Sequence, residues 1–118
     1  MRDHTKLRAF ELADEVALQV YQATRALPRD ERFGLVAQMR RAAVSVPSNI
    51  VEGCARSSEA EYCHFLDIAF GSLRELAYQA SLARRLGFFV DGEAAPLAER
   101  LEETSKVLAG LIRSRRSS

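Results

Sequence analysis

The chain has 118 residues, and apolar side chains make up 47% of them, which suits one folded domain with a single core. Its 17 basic and 16 acidic residues nearly cancel, so it lacks the overall positive field of a dedicated nucleic-acid-binding protein, and any such binding must come from local patches. No apolar run approaches the roughly 20 residues that span a bilayer, and the first residues lack the apolar segment of an export signal. We therefore expect no membrane partner and a cytoplasmic location.

Apolar residues at spacings of three and four predict a first helix over residues 5–27. Its inward face consists of Phe10, Ala13, Ala17, Val20 and Leu27, widened by Leu12 and Val16. Pro28 ends this helix, because the residue before a proline avoids helical angles. Asp30 is placed to cap the helix that follows.

A second helix is predicted over residues 31–56. Its apolar stripe is Val36, Met39, Ala43, Val46, Ile50 and Gly53. The stripe keeps its phase across Pro47, although a proline inside a helix removes one backbone hydrogen bond at a cost of about 3 kcal/mol. We expect one continuous helix kinked at Pro47. The alternative is a break, followed by a new helix that is capped by Asn49 and answered by Glu52.

Beside the apolar stripe runs a second stripe of small or polar residues. Its members are Ala42, Ser45, Asn49, Glu52 and Arg56. One interpretation is a solvated flank of the helix. The other is a surface that packs on another chain, where hydrogen bonds from Asn49 and Glu52 fix the register.

A third helix is predicted over residues 59–86, because Ser58 and Glu61 form the pattern of a capping box and Gly87 suits a helix C-cap. Its apolar stripe is Tyr62, Leu66, Ala69, Leu73, Leu76, Ala80 and Ala83. Gly71 in mid-helix is expected to permit close approach of a neighbouring helix. Glu75 lies beside the core seam, and we expect it to pair with Arg40 or Arg41.

A fourth helix, opened by Asp91, is predicted over residues 92–113, with Pro96 tolerated about a turn inside. Its apolar stripe is Leu97, Leu101, Thr104, Leu108 and Leu111. Residues 113–118 are expected to form a basic, frayed tail. Four helices with short links predict an all-α, antiparallel, up-down-up-down four-helix bundle, as a single domain over residues 1–118.

Catalytic chemistry finds little support in the sequence. His4 and His64 are the only histidines, so no catalytic triad is available, and no spacing suits a metal or a cofactor. Cys54 and Cys63 flank the predicted second hairpin, where buried free thiols are favoured over a disulfide. We predict no enzymatic activity, no catalytic residues, no metal and no cofactor.

Two segments carry a family resemblance: QMRRAAVSVPSNIVEG at 38–53 and FLDIAFGSLREL at 65–76. Together they resemble the four-helix bundle family of the 23S rRNA intervening-sequence proteins, with a distant relation to the accessory protein of diversity-generating retroelements. The resemblance implies a homo-oligomer, a ring of five, without established enzymatic activity. From this resemblance together with the stripes described above, we predict structural or subunit-interface roles for Ser45, Pro47, Asn49, Glu52, Gly53, Gly71 and Glu75.

Basic residues form three clusters that are candidates for contact with RNA, DNA or a protein partner. They are Arg40 with Arg41, Arg84 with Arg85, and Arg113 with Arg115 and Arg116. Solvated helix ends are the plain explanation. In a symmetric ring, however, a modest patch is repeated in every copy and becomes a strong anion-binding surface. Two functions follow as alternatives: a nucleic-acid-binding oligomer, or a protein-binding scaffold with no nucleic-acid role.

Overall fold

A computed structural model describes residues 2–90 and 92–117, which contain four α-helices. These are α1 (Arg8–Ala23), α2 (Leu35–Cys54), α3 (Glu59–Arg85) and α4 (Ala94–Arg116). Three short 3-10 turns occupy His4–Lys6, Thr24–Ala26 and Arg29–Glu31. This part of the chain contains no strand, which confirms the all-α prediction, and the bundle measures 44 × 24 × 20 Å.

The prediction that α2 continues through Pro47 is confirmed, because a single helix extends from Leu35 to Cys54 with Pro47 inside it. All six members of its predicted apolar stripe are buried, as are all seven members of the α3 stripe. These stripes are regular enough that each places one residue in the core about every turn. The centre of the core was therefore predictable from spacing.

The inward faces of α1 and α4 are rotated slightly from the predicted ones. In α1, Ala9 and Ala23 are buried while Phe10 and Ala17 are half-buried against the core. In α4, Ile112 is buried and its neighbour Leu111 is only half-buried. Where two neighbouring residues are both apolar, the sequence pattern does not distinguish the one that faces inward. Packing against the other helices decides which of the two enters the core.

Two predicted helix ends are confirmed in detail. The hydroxyl of Ser58 accepts a hydrogen bond from the backbone N–H of Glu61 at 3.1 Å, which caps α3. At its other end, Gly87 has a φ of 75°, and the N–H groups of Gly87 and Phe88 donate to the carbonyls of Arg84 and Ala83. This is the Schellman arrangement, in which glycine takes the left-handed conformation at no steric cost.

Two other predictions at helix ends are wrong, and a third cannot be compared with the structure. Asp30 does not cap α2; the carboxylate of Glu31 accepts from the N–H of Leu35 at 3.2 Å, because the turn at Arg29–Glu31 delays the helix to Leu35. The basic tail is not frayed, since α4 continues to Arg116. The predicted opening of α4 at Asp91 lies outside the described residues.

Contacts between α2 and α3 determine which links lie together. Ser45 contacts Ser72, and the backbone of Gly53 contacts Tyr62, so the start of α2 lies beside the end of α3. The α1–α2 link and the last turn of α3 therefore share one end of the bundle. We call residues 24–34 and 84–86 the Phe33 end. At the opposite end, the Glu59 end, Arg2 and Arg115 contact Glu59.

Candidate functional site

A polar pocket opens between α2 and α3 and collects several of the residues singled out by the sequence. Its volume is about 340 Å³, and it is lined by Gln38, Arg41, Ala42, Ser45, Ser72 and Glu75. Three of these side chains are polar and uncharged, namely one amide and two hydroxyls, and two others carry opposite charges. We call it the α2–α3 pocket.

Serine hydroxyls join the two helices at the side of this pocket. The Ser45 and Ser72 hydroxyl oxygens are 2.8 Å apart. The amide of Asn49 donates to the Ser45 hydroxyl at 3.0 Å and to the Ser45 carbonyl at 2.8 Å. Part of the predicted polar stripe of α2 therefore faces α3 within the same chain, where its hydroxyls are held in place.

The expected ion pair between Glu75 and an arginine of α2 does not form. Arg40 turns towards α1, where its Nε donates to the Thr24 hydroxyl at 2.9 Å and its guanidinium carbon lies 4.6 Å from the centre of the Tyr21 ring. Arg41 lines the pocket with Glu75, but within the described chain their charged groups are not within 4 Å of each other. The prediction failed because Thr24 and Tyr21 offer Arg40 a nearer partner.

Glu75 is instead contacted by a buried amide. The Gln79 side-chain amide donates to the Glu75 carboxylate at 3.5 Å, and Gln79 is only 5% exposed. Its carbonyl oxygen is buried and finds no hydrogen-bond partner among the described residues. A buried amide that lacks one hydrogen-bond partner lowers the stability of the fold. Glu75 lies on the solvent side of Gln79, because Glu75 is exposed and Gln79 is buried.

The C-terminal arginines are engaged at the Glu59 end. Arg115 donates to the Glu59 carboxylate at 2.7 Å, Arg2 contacts its other oxygen at 2.5 Å, and Arg116 pairs with Asp67. The hydrogen bonds from Arg115 and then Arg2 lower the pKa of the Glu59 carboxyl to about 2. Arg115 and Arg116 therefore fasten α4 to α3, which the sequence did not reveal.

The remaining predicted arginines are exposed. Arg84 and Arg85 end α3, Arg113 lies near the end of α4, and Arg85 stacks at 6.0 Å from the centre of the Tyr78 ring. None of the three forms an ion pair with another described residue. Of the seven candidate arginines, Arg40, Arg115 and Arg116 contact other helices. The other four are Arg41, Arg84, Arg85 and Arg113.

The Phe33 end contains a feature that the sequence analysis missed. Phe33 is 86% exposed, and the Arg32 guanidinium carbon lies 5.2 Å from the centre of its ring. Arg25 and Arg29 are exposed on the same link. The available signal was a single aromatic residue in a run of charges. Periodicity missed it because the predicted second helix began at residue 31 and included Phe33, which the structure places in the link before Leu35.

The other predicted interface residues divide by burial. Gly53 is buried, and a Cβ added there would lie 3.0 Å from the Phe65 Cβ, so helices α2 and α3 are in close contact. Gly71 is exposed with open space around it, so the expected close approach at Gly71 is absent within the chain. Glu52, in the last turn of α2, pairs with Arg56 just beyond the end of the helix.

Cys54 and Cys63 are buried free thiols, as predicted, and burial raises the pKa of the Cys54 thiol. Over residues 2–90 and 92–117, no group of three or more His, Cys, Asp or Glu side chains could hold a metal ion. His4 and His64 each contact a phenylalanine edge-on, Phe10 and Phe65 respectively. None of the helices in this part of the chain has the length and apolar character to cross a membrane.

Comparison with known proteins shows a matching family and a similar solved structure. A family model described as the 23S rRNA-intervening sequence protein matches residues 5–110. The crystal structure of a protein of unknown function from the S23 ribosomal protein family of Bacteroides thetaiotaomicron is similar, with a TM-score of 0.80, 22% identity, and coverage of 89% of this chain and 95% of that one. This second likeness bears on the fold alone. No curated protein matches the sequence.

Proposed function

Because the chain belongs to the 23S rRNA-intervening sequence protein family, we propose that it is a non-enzymatic cytoplasmic protein that binds RNA or DNA as a homo-oligomer. The proposed protomer is an up-down-up-down bundle with α2 kinked at Pro47. The proposed assembly is a ring of five copies. Its nucleic-acid surface is the Phe33 end, with Arg84 and Arg85 as the main phosphate contacts.

The exposed pair of Phe33 and Arg32 carries the nucleic-acid proposal. A phenylalanine that is 86% exposed forgoes the free energy that burial of its ring would contribute. The arginine stacked on this ring adds a positive charge to a flat aromatic surface. Single-stranded nucleic acids stack their bases on such surfaces while nearby arginines contact the phosphates. Arg25, Arg29, Arg84 and Arg85 are exposed at the same end and supply that charge.

The outer face of α2 supports the proposed self-association. Val44 and Val51 are 41% and 37% exposed, and their spacing of seven places them on one face with Ser48 between them. An apolar strip on one helix is a suitable contact for a second copy. Repeating the Phe33 end around a ring would multiply its charge, although the chain carries a formal net charge of only +1.

A protein-binding scaffold is the second candidate, and it is favoured by a groove that shares only Arg84 with the Phe33 end. A groove of about 900 Å³ runs between α3 and α4, and its floor is rich in alanine. Leu18 on α1 is 64% exposed. Apolar surfaces of this kind suit a helix from a partner protein better than they suit a nucleic-acid strand.

Titration of fluorescein-labelled single-stranded RNA, single-stranded DNA and duplex DNA, followed by anisotropy at 50 and 200 mM salt, tests the nucleic-acid proposal. We expect binding to weaken about 100-fold between these salt concentrations, because phosphate contacts release counterions. The double variant Arg84→Gln/Arg85→Gln should reduce the salt slope by about two. Binding that is insensitive to salt, or no binding to any of the three probes, would contradict the nucleic-acid proposal. The protein-binding scaffold would then be the remaining candidate function.

A matched control removes two positive charges from the Glu59 end. The variant Lys6→Gln/Arg8→Gln has the same net charge as the Arg84 and Arg85 double variant, and both of its positions are exposed. We expect it to keep the salt slope of the unmodified protein within about half a unit. Equal losses in the two double variants would indicate attraction by overall charge and would reject the Phe33 end as the binding surface.

A further inference from the structure

We infer that the α2–α3 pocket binds a guanine base, an inference that rests in part on the proposed binding of nucleic acid. The pocket is a concave space of about 340 Å³ between two helices, which is enough for one nucleobase. It lies on a face of the bundle that the proposed phosphate contacts do not use. The base would come either from a single strand or from a free guanine nucleotide.

Two opposite charges line this pocket without neutralising each other. Arg41 is exposed, carries five N–H donors and contacts no described carboxylate, while the exposed Glu75 carboxylate accepts only from Gln79 at 3.5 Å. A direct pair between them would close the site. Their separation leaves a donor fork on the α2 side and an acceptor pair on the α3 side.

Guanine is the base whose two edges fit that arrangement. Its O6 and N7 accept hydrogen bonds from an arginine, and its N1–H and N2–H groups can both donate to one carboxylate. Adenine and cytosine place an amino group where guanine has O6, and that amino group would oppose the guanidinium. Uracil and thymine offer one ring N–H and cannot bind both carboxylate oxygens.

Neighbouring groups on the pocket lining offer further contacts to the base. The Ser45 and Ser72 hydroxyls carry two hydrogens between them, and the bond that joins them uses one, so the other is available to an acceptor on the base. The Gln38 amide lies on the same lining, and Ala42 provides an apolar patch for the face of the ring. The Gln79 contact restrains the Glu75 carboxylate.

Isothermal titration calorimetry with GMP, AMP, CMP and UMP measures the preference of the pocket. We expect GMP to bind at least about 10-fold more tightly than the other three, which is the discrimination of a good bidentate contact. The variant Glu75→Gln should lose this preference, because an amide N–H would face the N1–H and N2–H of guanine. Glu99→Gln, an exposed carboxylate on α4, is the matched control and should keep it. Equal affinity for all four nucleotides would overturn the inference.

A second measurement identifies the source of the base. Anisotropy of a labelled ten-nucleotide uridine strand is compared with that of the same strand carrying one central guanosine, for the unmodified protein and for Glu75→Gln. A guanosine preference that Glu75→Gln abolishes supports a base within a strand. GMP preference without binding of either strand supports the pocket for a free nucleotide and rejects the proposed function. Salt-sensitive strand binding with no guanosine or GMP preference keeps the proposed function and rejects the guanine pocket.

Discussion

Glu59 has the most strongly perturbed carboxyl group among the described residues, although it lies at the surface. Arg115 from α4 and Arg2 from the N-terminal segment each hydrogen-bond one of its oxygens. Both contacts favour the ionised form, which lowers the pKa of Glu59 from 4.5 to about 2. Three separate parts of the chain are thus joined through one side chain. Because 56 and 57 residues separate these partners in sequence, no local pattern predicted the contacts.

The depressed pKa of Glu59 predicts how stability responds to acid. A carboxyl whose folded pKa lies below its unfolded value stabilises the protein above pH 4.5, and this contribution disappears as the pH falls to about 2. We expect Glu59→Gln to lower the melting temperature at pH 7 and to match the unmodified protein near pH 2. Thermal unfolding followed by circular dichroism between pH 2 and 7 measures the difference.

Glu99→Gln serves as the control for the acid experiment, because it removes an exposed carboxylate that pairs with none of the described basic residues. Its melting temperature should follow that of the unmodified protein across the pH range. A difference between Glu59→Gln and the unmodified protein that persists unchanged to pH 2 would contradict the proposed role of the two arginines.

At the scale of helices, α2 and α3 form the closest pair. The contact at Gly53 brings the α2 backbone against Tyr62 and Phe65, and the serine pair joins the same helices farther along. Glycine suits this position because an added Cβ would lie only 3.0 Å from the Phe65 Cβ, so the two helices would have to shift apart. Gly71 shares the residue type but faces open space, so its spacing within α3 did not predict its environment.

The two glycines predict opposite effects of the same substitution. Gly53→Ala should destabilise the protein by about 1–3 kcal/mol, because the helices must separate to accept the methyl group. Gly71→Ala should stabilise it by about 0.5–1 kcal/mol, because alanine restricts the unfolded chain and favours a helix. Urea unfolding of both variants measures the two free energies.

Each glycine variant is the control for the other, since both changes add one methyl group to a helix interior. If Gly53→Ala left the free energy of unfolding unchanged, that result would contradict a close contact between α2 and α3 at this position. If Gly71→Ala were destabilising, that exposed position would be in contact with another chain.

At the scale of the whole molecule, exposed apolar residues lie on several faces of the bundle. Val44 and Val51 are on α2, Leu18 is on α1, and Phe33 is at the Phe33 end. Four helices arranged around one core bury the apolar stripe of each helix. Apolar residues on the outward faces stay exposed to solvent or contact other chains. The proposed ring uses the α2 strip and keeps Phe33 accessible.

Self-association predicts a mass that light scattering can measure. A ring of the proposed size would give about five times the chain mass of 13.2 kDa. The variant Val51→Lys should reduce the mass to that of one chain, because it places a charge within the proposed contact. Leu18→Lys, an equivalent change on α1, should leave the mass unaltered. A single-chain mass for the unmodified protein at working concentration would exclude the ring.

The sequence by itself determined the helices and the centre of the core. The α2 and α3 stripes, the Ser58 cap and the Gly87 terminus all depend on residues within a few positions of one another, and local spacing records such relations. Only the tertiary structure decided the charged and polar contacts. Arg40 contacts α1, Arg115 contacts Glu59, and Arg41 shares a pocket with Glu75, because long side chains select partners by their position in space and not by their separation along the chain.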